Sequence, residues 1–309
     1  MIENILEVNV EMRGWKGILL AVTAGIVLVS VFRCTWNPFG EEDITAGYRQ
    51  VSGEVRLHDG SSPEGVYVWL EVFKLGTKTD ETGHFTLTLP PKSSQTSTSG
   101  LSGFFNLYFY IANYLLDSSQ VGIVEGEFVY DKADINKEGK LYAPKMMRRF
   151  LRIETLAEPT SVFANYTGNI EVKVTLTATI DSVTVVVPKS IGGMLGAVLL
   201  KRSGSENVYI FNSAPLIESR EKFLVGKTLR TIGMSFNLLQ TPLGVGTYEV
   251  IPYLLMAHEP IPEDLLKSLG PNVEKLGPDY LNIPFRREGG QFEVKGLSKN
   301  FNGSSLIGR

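Results

Sequence analysis

The chain has 309 residues, 43% of them hydrophobic and 20% charged, and a formal net charge of −3. That balance describes a globular chain, not a disordered one, and excludes the basic footprint of a nucleic-acid-binding protein. A single cysteine, Cys34, excludes an intrachain disulfide framework and a cysteine-based zinc site.

The first element is an uncharged run of sixteen residues, Gly17 to Phe32, behind Arg13 and Lys16 and just ahead of Cys34. Three readings fit an apolar run of this length. A buried core helix is one. A spanning helix with Trp15, Lys16 and Arg33 at its two interfaces is another, although it falls short of the roughly 20 residues that a bilayer core requires. The third is a signal peptide, whose apolar region is about 7–15 residues. Glu3, Glu7 and Glu11 do not suit a positive signal n-region, whereas a start at Met12 gives Met-Arg-Gly-Trp-Lys and then the apolar run. Residues 1–33 are therefore expected to form a signal peptide or membrane anchor, and residues 34–48 a tether. The position of Cys34 resembles the lipid-modified cysteine of bacterial lipoproteins, which makes Cys34 the candidate lipid-attachment site. Arg33 stands where that family has a small residue, so lipoprotein, single-span anchor and cleaved secretion all stay open. Each places the rest of the chain outside the cytoplasm of a bacterium.

Beyond residue 48 the pattern is β. Val51, Gly53, Val55 and Leu57 alternate with Ser52, Glu54 and Arg56. Val66, Val68, Leu70 and Val72 share one face of the next run, with Tyr67, Trp69, Glu71 and Phe73 on the other. Phe85, Leu87 and Leu89 repeat the alternation. Period two with β-branched and aromatic enrichment predicts strands. Asp59-Gly60 and Asp80-Glu81-Thr82-Gly83 are turn chemistry, and Pro90-Pro91 closes the block. Lys92 to Gly103 reads as a mobile loop. Leu107 to Ala112 is apolar on both faces, as a strand covered on each side would be. Strands are expected over 121–130 and 150–156, the latter as the last of this unit, with an exposed excursion at 131–139 and a boundary at 157–160. A second all-β block follows, with strands at 172–176, 183–187, 197–200, 208–211, 231–238 and 247–255 and a hairpin turn at 204–207. One helix, 262–269, opens on Pro262, Glu263 and Asp264 and stops at Gly270-Pro271.

Three pieces of the first block occur in a characteristic order. They are Val51-Ser52-Gly53-Glu54-Val55, then Pro63-Glu64-Gly65-Val66-Tyr67-Val68, then Thr79-Asp80-Glu81-Thr82-Gly83-His84-Phe85. Residues 51–90 thereby resemble the carboxypeptidase regulatory-like domain. The resemblance implies a transthyretin-like β-sandwich that accompanies peptidases, outer-membrane receptors and surface proteins and does no chemistry itself. The quoted residues are folding residues: Gly65 and Gly83 serve tight backbone geometry, and Phe85 fills a core. No family is recognised over 160–309.

Chemistry is sparse. His58, His84 and His258 have no metal partner at useful spacing, and no His-Glu-x-x-His, nucleophile elbow or Walker loop occurs. Gly192-Gly193-Met194-Leu195-Gly196 lacks the lysine of a phosphate cradle and reads as an interstrand loop. Glu41-Glu42 and Glu263-Asp264 lie on a tether and a helix start, without the desolvation that a general acid needs. Tyr108, Tyr110 and Tyr114 are the candidate ligand-binding residues, as aromatics that could stack on a sugar or pack between sheets. Asp131, Asp134 and Asn136 could offer oxygen ligands to calcium, but lack the glycine and terminal Glu of an EF-hand. Met146-Met147-Arg148-Arg149 with Arg152 reads as a solvated basic strand edge, with a headgroup site as the rival. Asn165-Tyr166-Thr167 fits a glycosylation sequon that a bacterial protein leaves idle.

The expected architecture is all-β: an N-terminal apolar helix, a transthyretin-like sandwich over 49–157, and an Ig-like sandwich with a short helix over 160–309. The expected function is a non-catalytic, membrane-anchored binding or structural protein of the cell envelope, with the membrane and an envelope protein or glycan as partners. No cofactor, metal or nucleic acid is expected. The alternative is a carbohydrate-binding or carbohydrate-processing surface protein.

Overall fold

A computed structural model describes residues 48–95, 101–190, 194–213, 219–239, 243–257 and 261–297. The apolar run, Met12, Cys34, the tether up to residue 47, and His258 lie outside the described residues. Among the described residues no helix is long and apolar enough to cross a membrane.

The fold is all-β. β1 (Gln50–Leu57), β2 (Tyr67–Leu70), β3 (Leu75–Lys78), β4 (His84–Thr88), β5 (Gly103–Tyr110), β6 (Asp117–Val124), β7 (Glu127–Phe128) and β8 (Lys145–Met147) make two sheets, in orders β4-β1-β8 and β3-β2-β5-β6-β7. Their facing side chains share one core, in which Val51, Val55, Phe85 and Leu87 meet Val68, Leu107, Phe109 and Ile123. The alternation read from the sequence is visible in β4, where Phe85 and Leu87 are buried and His84, Thr86 and Thr88 exposed. β5 is the central strand, paired with β2 and β6. Its second face is covered as well, which is why no polar residue alternates at its C-terminal end.

Some elements differ from expectation. The run expected over 121–130 is a hairpin, because Glu125 and Gly126 both take positive φ between Val124 and Glu127. Two consecutive positive-φ residues form the tight turn that matches the twist of paired strands. β8, in contrast, falls at the basic cluster read as a strand edge and is the edge strand of its sheet, pairing in parallel with β1 from Val55↔Lys145 to Leu57↔Met147.

The remaining strands are β9 (Leu151–Glu158), β10 (Ser161–Phe163), β11 (Asn169–Ala178), β12 (Val183–Pro188), β13 (Ala197–Arg202), β14 (Val208–Asn212), β15 (Arg220–Val225), β16 (Arg230–Asn237), β17 (Gly246–Pro252), β18 (Leu255–Ala257), β19 (Glu288–Gly289) and β20 (Gln291–Lys295). They form sheets ordered β10-β20-β17-β13-β14, β16-β11-β9-β19 and β15-β12-β18 around a second core. The 150–156 strand is assigned differently from expectation. β9 pairs with β11 from Glu171↔Glu158 to Ala178↔Leu151, and Leu151, Ile153 and Ala157 belong to the second core. An alternating pattern shows that a strand has an apolar face, and says nothing about which sheet it joins.

α1 (Glu263–Leu269) forms where the acidic first turn and the Gly-Pro stop predict it. It presents Leu265 and Leu269 to a third apolar cluster. There Tyr67, Trp69 and Tyr110, from the outer face of the β2–β5 pair, meet Leu199, Ile251 and Tyr280. Tyr67 also shares a hydrogen bond with Ser268 of the helix at 2.8 Å. Full burial of one such aliphatic or aromatic side chain contributes about 1.5–3 kcal/mol. This cluster joins the two sandwiches through apolar contact.

Candidate functional site: a polar cleft at the junction of the sandwiches

Arg149 sits between β8 and β9, at the point where the chain leaves one core for the other. Its side chain is only 8% exposed. A guanidinium buried to this extent requires partners, and both sandwiches supply them. From the first, Asp59 Oδ2 lies 2.8 Å from Nε, the Tyr114 hydroxyl accepts from Nε at 3.0 Å, and Ser61 Oγ accepts from Nη2 at 2.9 Å. From the second, Glu288 Oε1 accepts from Nη1 at 2.9 Å. Glu288 Oε2 then accepts from Arg152 Nη2 at 2.6 Å and Nε at 3.1 Å. Tyr114 completes the circuit by donating its hydroxyl to Asp59 Oδ2 at 2.8 Å.

Local chemistry places each member. Asp59 opens a turn in which Gly60 takes a φ of +74° and the Ser61 amide donates to Asp59 Oδ1 at 3.2 Å. That Asx-type turn aims the other carboxylate oxygen at Arg149. Tyr114 is fully buried in the first core and reaches the cleft only through its hydroxyl. Glu288 lies in β19, which pairs in parallel with β9 at Glu288↔Glu154.

The carboxylates are tuned to stay charged. Burial pushes the Asp59 carboxyl up, but the Tyr114 hydroxyl, the Ser61 amide and Arg149 outweigh it, and the net displacement is downward. Arg152 is the largest influence on Glu288; with Arg149 it holds that carboxyl below the ordinary range despite burial. Burial raises the Tyr114 hydroxyl, keeping it a neutral donor.

The cleft above this network has a volume of about 650 Å³. Its walls include His58, Leu115, Arg148, Arg152, Thr179 and Ile180. A second tie lies beside it. Asn113, fully buried, donates from Nδ2 to the carbonyls of Leu151 at 2.9 Å and Arg286 at 2.8 Å, and accepts the Arg286 amide on Oδ1 at 3.0 Å. Arg286 returns the contact by donating from Nε to the Ser62 carbonyl at 3.0 Å and from Nη2 to the Glu64 carbonyl.

The residues singled out from sequence are distributed as follows. Tyr110 is 3% exposed and packs in the third apolar cluster, and Tyr114 has no exposed surface. Of the two readings open for Tyr108, Tyr110 and Tyr114, packing describes two of them: Tyr110 is covered together with Tyr67 and Trp69, and Tyr114 packs in the first core. Tyr108 alone of the three is partly open, and its hydroxyl donates to Glu71 at 3.3 Å. Asp131, Asp134 and Asn136 organise their own loop: Asn136 Oδ1 accepts the amides of Glu138 and Lys140, and Asp134 Oδ2 accepts that of Gln120. Among the described residues no group of three or more His, Cys, Asp or Glu is placed to hold a metal ion. Arg149 is not on the solvated edge that its neighbours in sequence suggest. Asp59, Ser61, Asn113, Arg286 and Glu288 carry no functional signal in the sequence; their roles come from long-range pairing.

No family model matches the chain, and no curated protein matches it. Among solved structures, the chain is similar to BcpA, the major pilin subunit of Bacillus cereus, at 12% identity, covering 65% of this chain and 63% of that one with a TM-score of 0.21. A variant of the same subunit gives 14% identity, 65% and 63% coverage and a TM-score of 0.23. The Bacillus anthracis TIE protein gives 10% identity, covers 68% of this chain and 45% of its own, and has a TM-score of 0.21. The chain thus spans less than two thirds of the length of each. Function is read from this chain's own residues.

Proposed function

We propose that this protein is a non-catalytic, extracytoplasmic component of the bacterial cell envelope. It is anchored through its N-terminal segment, and its two sandwiches act as one binding or structural unit. The junction network is the observation that carries this reading. Of the groups there that could act as acid, base or nucleophile, His58 stands apart on the cleft wall, while Asp59, Glu288, Ser61 and Tyr114 are each bound to Arg149. Their hydrogen-bonding capacity holds two cores together and is not directed at a reacting atom. The resemblance of residues 51–90 to the carboxypeptidase regulatory-like domain supports an accessory role, and the uncharged run ahead of Cys34 supports export with a retained anchor.

Fractionation of a bacterium producing the full chain tests the reading. Recovery with membranes, and release of a Cys34→Ser variant into the extracytoplasmic fraction, identifies a lipid anchor. Membrane retention of that variant identifies a spanning anchor. Recovery of the wild-type protein in the cytoplasm overturns the proposal. A robust turnover in broad hydrolase profiling, lost on Asp59→Asn, overturns its non-catalytic part.

A further inference from the structure

We infer that the junction cleft binds an oxyanion carried on a short apolar stem, a carboxylate or a phosphate ester, with Arg148 as the residue that grips it. The inference rests on the reading of this cleft as a non-catalytic junction.

Three guanidinium groups and two carboxylates line the cleft: Arg148, Arg149 and Arg152 against Asp59 and Glu288. Two of the cations are already engaged. Arg149 is held by Asp59 and Glu288, and Arg152 by Glu288 and Glu154. Arg148 is exposed, and its guanidinium has no partner among the described residues. Its backbone is fixed where its carbonyl accepts the Leu115 amide at 3.0 Å. Arg148 thus lines the cleft from a fixed backbone position, with its side-chain donors unpaired among the described residues.

The two carboxylates do not cancel this attraction. Asp59 Oδ2 faces Arg149 and Tyr114, and both Glu288 oxygens face arginines, so their charge is answered within the network. With Glu154 on Arg152, three carboxylates balance the three guanidinium groups in number, but none of them is paired with Arg148, and a concave surface focuses the local field of that unpaired cation. A planar guanidinium presents paired N–H groups that match the two oxygens of a carboxylate or phosphate. Leu115 and the 38%-exposed Ile180 line the same space and offer apolar surface to whatever carries the anion. A cleft of about 650 Å³ falls in the ordinary range for small-molecule sites, which are often found between domains.

Calorimetric titration of the full-length protein at low ionic strength tests the inference, using butyl phosphate, butyrate, inorganic phosphate and butanol as probes. Butyl phosphate or butyrate is expected to bind saturably at one site. Butanol, without the charge, should not bind, and inorganic phosphate, without the stem, should bind more weakly. The tighter of the two stemmed anions identifies the headgroup. Arg148→Gln should weaken binding by about ten-fold or more, the loss of one charge-assisted interaction, with an unchanged melting temperature because Arg148 makes no internal side-chain pairing. Arg148→Lys should retain part of the affinity. Failure of both stemmed anions to bind, or equal binding by Arg148→Gln and wild type, overturns the inference. Inorganic phosphate binding as tightly as butyl phosphate overturns the apolar-stem assignment. None of these results depends on where the protein fractionates, so failure here is distinguishable from failure of the envelope assignment.

Discussion

Asn113 and Arg286, 173 positions apart, bond to each other as two strand residues would: the Asn113 side-chain amide both accepts from the Arg286 N–H and donates to the Arg286 carbonyl. A side-chain amide has the same donor and acceptor geometry as a peptide group. It thus supplies one rung of a sheet at a place where the two sandwiches have no strands in register.

That rung sets the first prediction. Asn113→Ala removes three hydrogen bonds, one buried and two part-buried, and takes this partner from the Arg286 amide and from the Leu151 and Arg286 carbonyls. Each orphaned group costs about 1–3 kcal/mol. The variant is expected to lose roughly 3–5 kcal/mol in urea denaturation, and its Arg286 amide should exchange with deuterium faster than the amides of the β5–β6 pair.

Arg149→Met leaves Asp59 charged without its cationic partner and leaves Glu288 to Arg152 alone. Breaking a buried pair from one side costs about 3–5 kcal/mol; the partly open position of both carboxylates puts the expectation at the lower end of that range. Adding Asp59→Asn should recover part of the loss, because the remaining uncompensated charge goes with it. A double-mutant cycle by denaturant titration reads the coupling, and strictly additive costs would show that the two residues do not interact.

Acid should loosen the junction. Asp59 and Glu288 both sit below their ordinary pKa in the folded protein. A depressed carboxyl contributes stability that is fully present above its unfolded pKa and is lost as pH falls through the folded one. Melting temperature is therefore expected to be flat from neutrality down to about pH 5 and to fall below it. The fall should be shallower in Glu288→Gln, which starts from a lower plateau.

Gly60 and Gly83 separate strain from collision. Both take positive φ, +74° and +86°. A Cβ at Gly60 meets nothing within 4 Å, whereas one at Gly83 falls 2.1 Å from the Val55 carbonyl oxygen. Gly60→Ala should cost about 1 kcal/mol from backbone strain alone. Gly83→Ala should cost more than about 3 kcal/mol, because strain and overlap with a β1 carbonyl combine. Equal melting shifts for the two would refute this assignment.

Many of the strands, and helix α1, were legible because each carries its own local pattern. Phe85 and Leu87 in β4, or Val172, Val174 and Ile170 in β11, declare a buried face within a few residues. The acids before Leu265 and the Gly-Pro after Leu269 declare a helix just as locally. β3, only four residues long with Gly76 inside it, has no such period and is not among the expected strands; β15 and β20 also fall outside them, although Phe292 and Val294 alternate in β20. The assignment of β9 and the fate of Tyr110 depend on partners far along the chain, which no local pattern encodes. The same holds for the junction. Arg149 and Arg152 stand out as a basic cluster, but their anion, Glu288, lies 139 residues from Arg149.

The pairing of β8 with β1 imposes an order of events on the newly made chain. Val55 is in place long before Lys145, its partner in the parallel ladder, has been synthesised. The Arg149 network must wait again for Glu288, and Asn113 for Arg286. Pairings this distant make assembly slow and leave strand edges open meanwhile. A chain that ends before β8 lacks a strand of the first sandwich, and one that ends before Glu288 has the first sandwich without its junction.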